Sequence, residues 1–485
     1  MSELKERTAG TLKWNTIDRV ATQVLYGLSG IVLANLLSKE DFGLVGVLAV
    51  FQAFAILFVD SGFGSALLQK KDPDEDDYST VFWFNLTMSV AVYTVLYFIA
   101  PYIADFFVAP ELLAMSRVMF LTFVLTGLGI VQTNRLMKRM DVKQIAIADL
   151  FALSVSAALG IALAFKGFGA WAIVWQSVAL AGLKSGWLWA TGHWRPLWVF
   201  SKRTMRDIRH IGVSVFTTQL FNTIFLNIYP FVIGKWYSLT QLGSYNQADK
   251  WSKMGSASLS QIFTSSFVPL LAKVQDDIAT FHRYMQRIDR FTALLTFPAL
   301  TLLAACGTSI FHFLFGTKWD AAIPLFQILC LRGIGTVFIS LYGNFMMALG
   351  HGRQLVAVEV IKDATTILAL LATVFTKSLE TLVWGQLAAT AATWFAAGKI
   401  TARTTGYKSR QLLIDTLPFV AAAAAATLAI WLVPVPVGDV EHELNLTSLM
   451  GLGIHGLTGL AAVFIALGLL RVPEIAEIKS RMLKR

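Results

Sequence analysis

Residues 244–263 read SYNQADKWSKMGSASLSQIF and place Asp249, Lys250 and Lys253 together in a chain that is otherwise strongly apolar. On an α-helix, Asn246, Asp249, Lys250, Lys253, Ser256, Ala257, Ser260 and Thr264 fall three and four residues apart along one polar stripe. A stripe of that length does not face lipid, because a charge at the bilayer centre costs about 2.5–3.5 kcal/mol on insertion scales. It needs a watery cavity or a partner. Two chemistries fit. As cations lining a cavity, Lys250 and Lys253 attract phosphate as point charges, which suits an anionic substrate. Alternatively both lie near a helix end, lay their stems along apolar surface and pair with acids elsewhere.

Other polar residues fall inside apolar stretches and divide the same way. Gln23, Gln52, Asp60, Gln219, Asn222 and Asn227 hydrogen-bond a polar substrate if they line a cleft, and Asn and Gln equally serve as glue between helices. Asp149 and Glu359 occupy matching positions, with Lys362 and Asp363 close behind the second, and this duplication favours structural pairing over proton coupling. Arg117, Lys184 and Arg332 are expected to pair within their own half of the chain or to extend toward water. His312 and His351 are too far apart for a metal pattern, and Cys306 and Cys330 sit in apolar runs as packing residues. No metal site and no cofactor is expected.

The elements that must hold these residues follow from composition. Of 485 residues, 56% are hydrophobic and 14% charged, and the mean hydropathy is +0.62, the profile of a polytopic membrane protein. The polar N-terminus lacks the short apolar region of a cleaved signal. Apolar stretches of spanning length predict six helices near 16–37, 42–66, 81–104, 114–132, 145–165 and 169–190. Six more lie near 209–234, 242–271, 290–315, 322–348, 354–376 and 380–402, and two near 412–433 and 449–470. The eighth span, which carries the stripe, is the least apolar. It is nevertheless required by charge. With it, the basic loops alternate, and those rich in Lys and Arg all share one side, expected to be cytoplasmic together with both termini. Residues 272–289 are then cytoplasmic and residues 434–448 external.

The net charge of +10 is therefore mostly a signal of topology, and no nucleic-acid partner is implied. Once the basic loops and turns are set aside, Arg117, Lys184, Lys250, Lys253, Arg332 and Lys362 remain as intramembrane cations. The basic tail EIKSRMLKR is able to rest on anionic lipid.

The chain also repeats. LLSKEDFGLV at 36–45 matches WYSLTQLGSY at 236–245, and NRLMKRMDVKQIAIAD from Asn134 aligns without gaps on NFMMALGHGRQLVAVE from Asn344. Gln176 and Gln386 keep the same separation. Each half holds an even number of spans, so the duplication is parallel, as in secondary transporters that rock one lobe against the other. The expected architecture is all-α: a six-helix lobe over 1–200, a second over 201–405, and two appended helices with a basic tail over 406–485.

The stretches LSKEDFGLVGVLAVFQAF, YSLTQLGSYNQADKW, FVPLLAKVQDD and FGTKWDAAIPLFQIL resemble the polysaccharide transporter branch of the multidrug/oligosaccharidyl-lipid/polysaccharide exporter superfamily. The similarity is to Wzx-type flippases of the colanic-acid-exporter kind and covers essentially the whole chain. It implies movement of an undecaprenyl-diphosphate-linked sugar unit across the bacterial inner membrane, from the cytoplasmic to the periplasmic leaflet. It also implies contact with membrane lipid, and it leaves open a coupling proton or sodium ion and polysaccharide assembly proteins as partners. The alternatives are a multidrug or organic-cation antiporter of the same superfamily and a membrane polymerase. An organic-cation exporter favours a carboxylate-lined cleft, whereas the eighth span offers more positive charge than negative. Enzyme readings lack support, since neither a phosphate-binding Gly-rich loop nor a hydrolase motif is present and no loop is long enough for a catalytic domain.

Overall fold

The computed structural model describes residues 2–60, 62–192, 194–433, 446–470 and 472. The expected external segment 434–448 and the basic tail fall mainly outside the described residues. The helices are α1 (Ser2–Leu36), α2 (Lys39–Asp60), α3 (Phe63–Gln69), α4 (Glu75–Phe107), α5 (Glu111–Met119), α6 (Leu121–Lys138), α7 (Val142–Phe165) and α8 (Trp171–Thr191). They continue with α9 (Lys202–Trp236), α10 (Leu239–Ala272), α11 (Ile278–Ala305), α12 (Gly307–Phe315), α13 (Ile323–Ala348), α14 (Gly352–Thr373), α15 (Leu379–Thr405), α16 (Ser409–Leu432) and α17 (Leu446–Leu469).

Among the described residues, fourteen of these helices have 18 residues or more, in agreement with the fourteen expected spans. Eight helical segments meet a strict test of length and apolarity, and α10 is not one of them. It nevertheless forms a continuous helix of 34 residues. Several boundaries differ from the hydropathy reading. The second span stops at Asp60, because Gly62 adopts φ 69° and starts a separate short helix. The fourth divides at Phe120 into α5 and α6, and the ninth divides at Cys306 into α11 and α12.

Local chemistry sets the helix starts, and it does so twice over. At the entry to α2, Ser38 N–H donates to Asp41 Oδ2 at 2.8 Å while Asp41 N–H donates to Ser38 Oγ at 3.0 Å. At the entry to α10, Ser238 N–H donates to Gln241 Oε1 at 3.1 Å while Gln241 N–H donates to Ser238 Oγ at 3.2 Å. Both are capping boxes. The matched turns of the repeat thus share a mechanism as well as letters.

The chain forms two compact units, Met1–Gly243 and Ser244–Arg485, and the division falls within α10. In the first unit α7 lies between α1 and α8, α4 packs on α6, and α9 packs on α2. The starts of α2 and α10 meet in this unit with only hydrogen at Gly43 and Gly243, since a Cβ on Gly43 would overlap the Leu239 carbonyl and one on Gly243 the Lys39 carbonyl. In the second unit α13 packs on α15, α15 on α14, and α11 on α16, around a core that includes Phe281, Phe297, Phe338, Phe345 and Phe419. Such packing, rather than a hydrophobic drive between helices, holds helices together in lipid.

Candidate substrate site

The polar stripe of α10 splits lengthwise in the second unit. One edge is sealed against α13: Asp249 and Ser256 are buried, and a Cβ on Gly333 would come within 2.9 Å of the Ser256 Cβ. Further along, Asn344 Nδ2 donates to Thr264 Oγ1 at 3.0 Å. The other edge stays open, with Lys253 and Ala257 exposed and Asn246, Lys250 and Ser260 half-buried.

Around Asp249 the charges converge. Lys253 Nζ lies 2.6 Å from Oδ2, one helical turn along, and Arg332 of α13 approaches Oδ1 at 3.5 Å. Arg332 Nη1 also donates to Gln386 Oε1 of α15 at 2.6 Å, and Gln386 Nε2 donates to the Tyr245 hydroxyl at 3.2 Å. Lys250 pairs with no carboxylate among the described residues, and its ammonium stands 5.5 Å from the centre of the Trp251 ring. Trp251 is itself held by its indole N–H, which donates to Gln247 Oε1 at 3.1 Å. One carboxylate therefore serves two cations, and a third stands nearby. The cluster keeps an excess of positive charge with N–H donors on its open edge, an arrangement suited to an anion that accepts from several donors at once.

Not every candidate joins this cluster. Gln52 lies in the first unit, where its amide donates to Thr122 Oγ1 at 3.2 Å and ties α2 to α6. Asn227 donates to the Thr223 carbonyl of its own helix at 2.8 Å. Gln23, Gln219 and Asn222 are exposed on α1 and α9. The Asp60 side chain lies outside the described residues. The duplicated carboxylates both meet lysines, Asp149 with Lys184 of α8 at 2.5 Å and Glu359 with Lys362 one turn along its own helix. Arg332 and Gln386 were legible only in part, as an intramembrane cation and as half of a repeated pair. Their meeting at Tyr245 and Asp249 had no signal in the sequence.

Fourteen long helices among the described residues, with a cluster of charged side chains on a helix too polar for simple lipid contact, define a multi-pass membrane protein. The fold is that of solved transporters. It superposes on lipid II flippase MurJ in an inward closed conformation with a TM-score of 0.75 at 14% identity, covering 97% of this chain and 99% of that one. An inward-facing multidrug resistance MATE family transporter of the MOP superfamily matches with a TM-score of 0.61 at 16% identity, over 79% of this chain and 95% of that one. The chain belongs to the family described as polysaccharide biosynthesis protein, which it matches over residues 32–324. Its relatives include the teichuronic acid biosynthesis protein TuaB of Bacillus subtilis (strain 168), 27% identical over 79% of this chain and 80% of that one. The succinoglycan biosynthesis transport protein ExoT of Rhizobium meliloti (strain 1021) is 24% identical over 76% of this chain and 75% of its own. The family resemblance read from the four sequence stretches is thereby borne out.

Proposed function

We propose that this chain is a flippase, not an enzyme, that moves a polyprenyl-diphosphate-linked oligosaccharide across the bacterial inner membrane for exopolysaccharide or lipopolysaccharide assembly. Both termini are cytoplasmic in this reading, and transport proceeds by alternating access. The observation that carries it is the pairing of Lys253 and Arg332 with the one carboxylate of Asp249, while Lys250, next in the chain, stands over the Trp251 ring without a carboxylate among the described residues. A diphosphate arriving at the open edge competes with Asp249 for Lys253 and gains Lys250 as a second cation. Arg332, fixed by Gln386, holds Asp249 in place meanwhile. The same charge excess disfavours the organic-cation antiporter. Asn246 beside the cluster and the exposed Gln219 and Asn222 are the groups assigned to sugar hydroxyls, with Gln23, Gln52, Asp60 and Asn227 as weaker members of that set. A proton or sodium ion for coupling and polysaccharide assembly proteins complete the expected partners.

The test is a Lys250→Ala, Lys253→Ala double variant, read by surface display of the polymer alongside the amount of protein in the membrane. A charge-assisted contact to phosphate is worth about 1.5–3 kcal/mol, so export should fall about tenfold or more at unchanged protein level. The corresponding Arg variants should retain part of the activity, because the charge survives while its geometry differs. Normal export from the double Ala variant would remove the cationic site from the mechanism.

A further inference from the structure

A cavity of about 620 Å³ lies in the first unit, far from the α10 stripe in sequence, at the ends of the helices that carry basic loops. Arg135 and Arg139 reach it from the end of α6, Arg195 from the segment after α8, Glu75 from the first turn of α4, and Asp141 and Gln144 from the start of α7. Each Glu75 oxygen has a partner: Oε1 accepts from Arg135 Nη2 at 2.5 Å and Oε2 accepts from the Trp194 indole N–H at 2.5 Å. Arg135 is held by Glu75 and by the Tyr78 and Trp194 rings, 5.6 and 5.5 Å from its guanidinium, while Arg139 is exposed and forms no ion pair among the described residues. Arg195 gives Nη1 to the carbonyls of Gly192 and Trp194 at 2.8 and 2.9 Å and rests 5.2 Å from the Trp189 ring centre. Asp141, the other carboxylate of the lining, leaves three guanidinium groups against two acids. No side chain caps the first turn of α7, whose dipole adds positive potential there.

The chain that borders this cavity at Trp194, Arg195 and Leu197 is pinned to α4. Leu197 N–H donates to Ser79 Oγ and Ser201 N–H to Thr80 Oγ1, each at 3.0 Å, while the Trp83 indole N–H donates to the Leu197 carbonyl at 2.8 Å. Between these pins Trp198 is 88% exposed and Phe200 54% exposed, and Trp198 stacks on Trp83 with ring centres 4.2 Å apart. Aromatic groups held outward on a pinned strap belong at the level of lipid head groups, where one face is apolar and the other wet. The guanidinium-lined cavity next to the strap then lies at phosphate height, on the side where basic residues meet anionic lipid.

We propose that this cavity holds the phosphate of an anionic lipid head group, taken by Arg139 and Arg195 at the rim, with the charge of Arg135 behind them. Guanidinium groups suit phosphate because they donate in a planar fork. The site is distinct from the α10 cluster, and its test reads lipid binding rather than transport.

The purified full-length protein in detergent is titrated with phosphatidylglycerol or phosphatidylcholine, and retained lipid is counted by native mass spectrometry. The expected result is a retained phosphatidylglycerol in the wild type. In Arg139→Ala, Arg195→Ala its affinity should be about tenfold or more lower, the loss expected of one charge-assisted contact. Arg139→Lys, Arg195→Lys should keep part of the affinity, and Arg206→Ala, Arg209→Ala, which alters exposed arginines outside the cavity, should keep all of it. Equal retention by the wild type and the cavity Ala variant would overturn the site, as would equal retention of phosphatidylcholine. Displacement of the lipid by millimolar inorganic phosphate at constant ionic strength would identify a site for free phosphate and overturn the lipid assignment. A cavity Ala variant that fails to fold leaves Arg139→Gln, Arg195→Gln to decide: a lower affinity for phosphatidylglycerol than the wild type supports the site, and an unchanged affinity overturns it.

Discussion

At the scale of single residues, Arg332 links three helices through Asp249 of α10 and Gln386 of α15. Its removal leaves the Gln386 oxygen with only the long contact from the Tyr245 hydroxyl at 3.4 Å and leaves Asp249 to Lys253 alone. Arg332→Ala should therefore lower stability by about 1–3 kcal/mol, the cost of leaving buried polar partners unmade. If pairing with Asp249 is the larger part of that loss, Asp249→Asn in the same chain should recover some of it, as a double-mutant cycle of thermal or denaturant unfolding would show. Additive losses would assign the role to Gln386 instead. A second residue acts through pH. Asp277 starts α11, accepting from the Thr280 backbone N–H at 3.0 Å and from its hydroxyl at 2.6 Å. These bonds hold its carboxyl below the usual value. A group lowered in the folded state stabilises above its unfolded pKa and loses that contribution as pH falls through the folded one. Asp277→Ala should thus be less stable than the wild type at neutral pH, and the gap should close on acidification.

At the scale of elements, the starts of α2 and α10 meet on Gly43 and Gly243. The atoms a methyl group would strike are backbone carbonyls, which cannot rotate away as a side chain does. Gly43→Ala and Gly243→Ala should each cost about 1–3 kcal/mol, the usual range for overpacking, read as a lower unfolding midpoint. If either variant matched the wild type, these helix ends would have to separate at little cost. Such separation is what rocking between halves demands of matched turns, and a cysteine cross-link between the turns should block transport until it is reduced. Full transport with the cross-link in place would rule out movement at that end.

For the molecule as a whole, the alternation of basic loops predicts topology. With the eighth span crossing the membrane, residues 272–289 face the cytoplasm, so a cysteine placed at position 280 should be shielded from an impermeant reagent in intact cells and become labelled after lysis. Labelling from outside would remove one crossing from the scheme. We propose the division into lobes over 1–200 and 201–405 and an appended pair over 406–485 as the functional one, although contacts group α9 with the first unit. Depletion of the protein should accumulate a lipid-linked saccharide in the cytoplasmic leaflet, and the sugar composition of that intermediate would identify the cargo.

Much of this was determined by sequence because it depends on neighbours along the chain. Span length and hydropathy set the helical class, the alternation of basic loops required α10 despite its polarity, and serine followed three residues later by aspartate or glutamine set matching helix starts at Ser38 and Ser238. The stripe on α10 was legible because helical spacing alone puts its members on one face. Tertiary structure decided which edge of that stripe is sealed and what the charges meet. Arg332 finds Asp249 across 83 residues and Gln386 finds Tyr245 across 141, distances at which no periodicity carries information. The arginine cavity is of the same kind: α4, α6, α7 and α8 each supply residues that look like ordinary basic-loop or helix-end positions in sequence. Only helix packing turns them inward on a common space, because the free energy that selects their geometry comes from burial and pairing between elements rather than from any one of them.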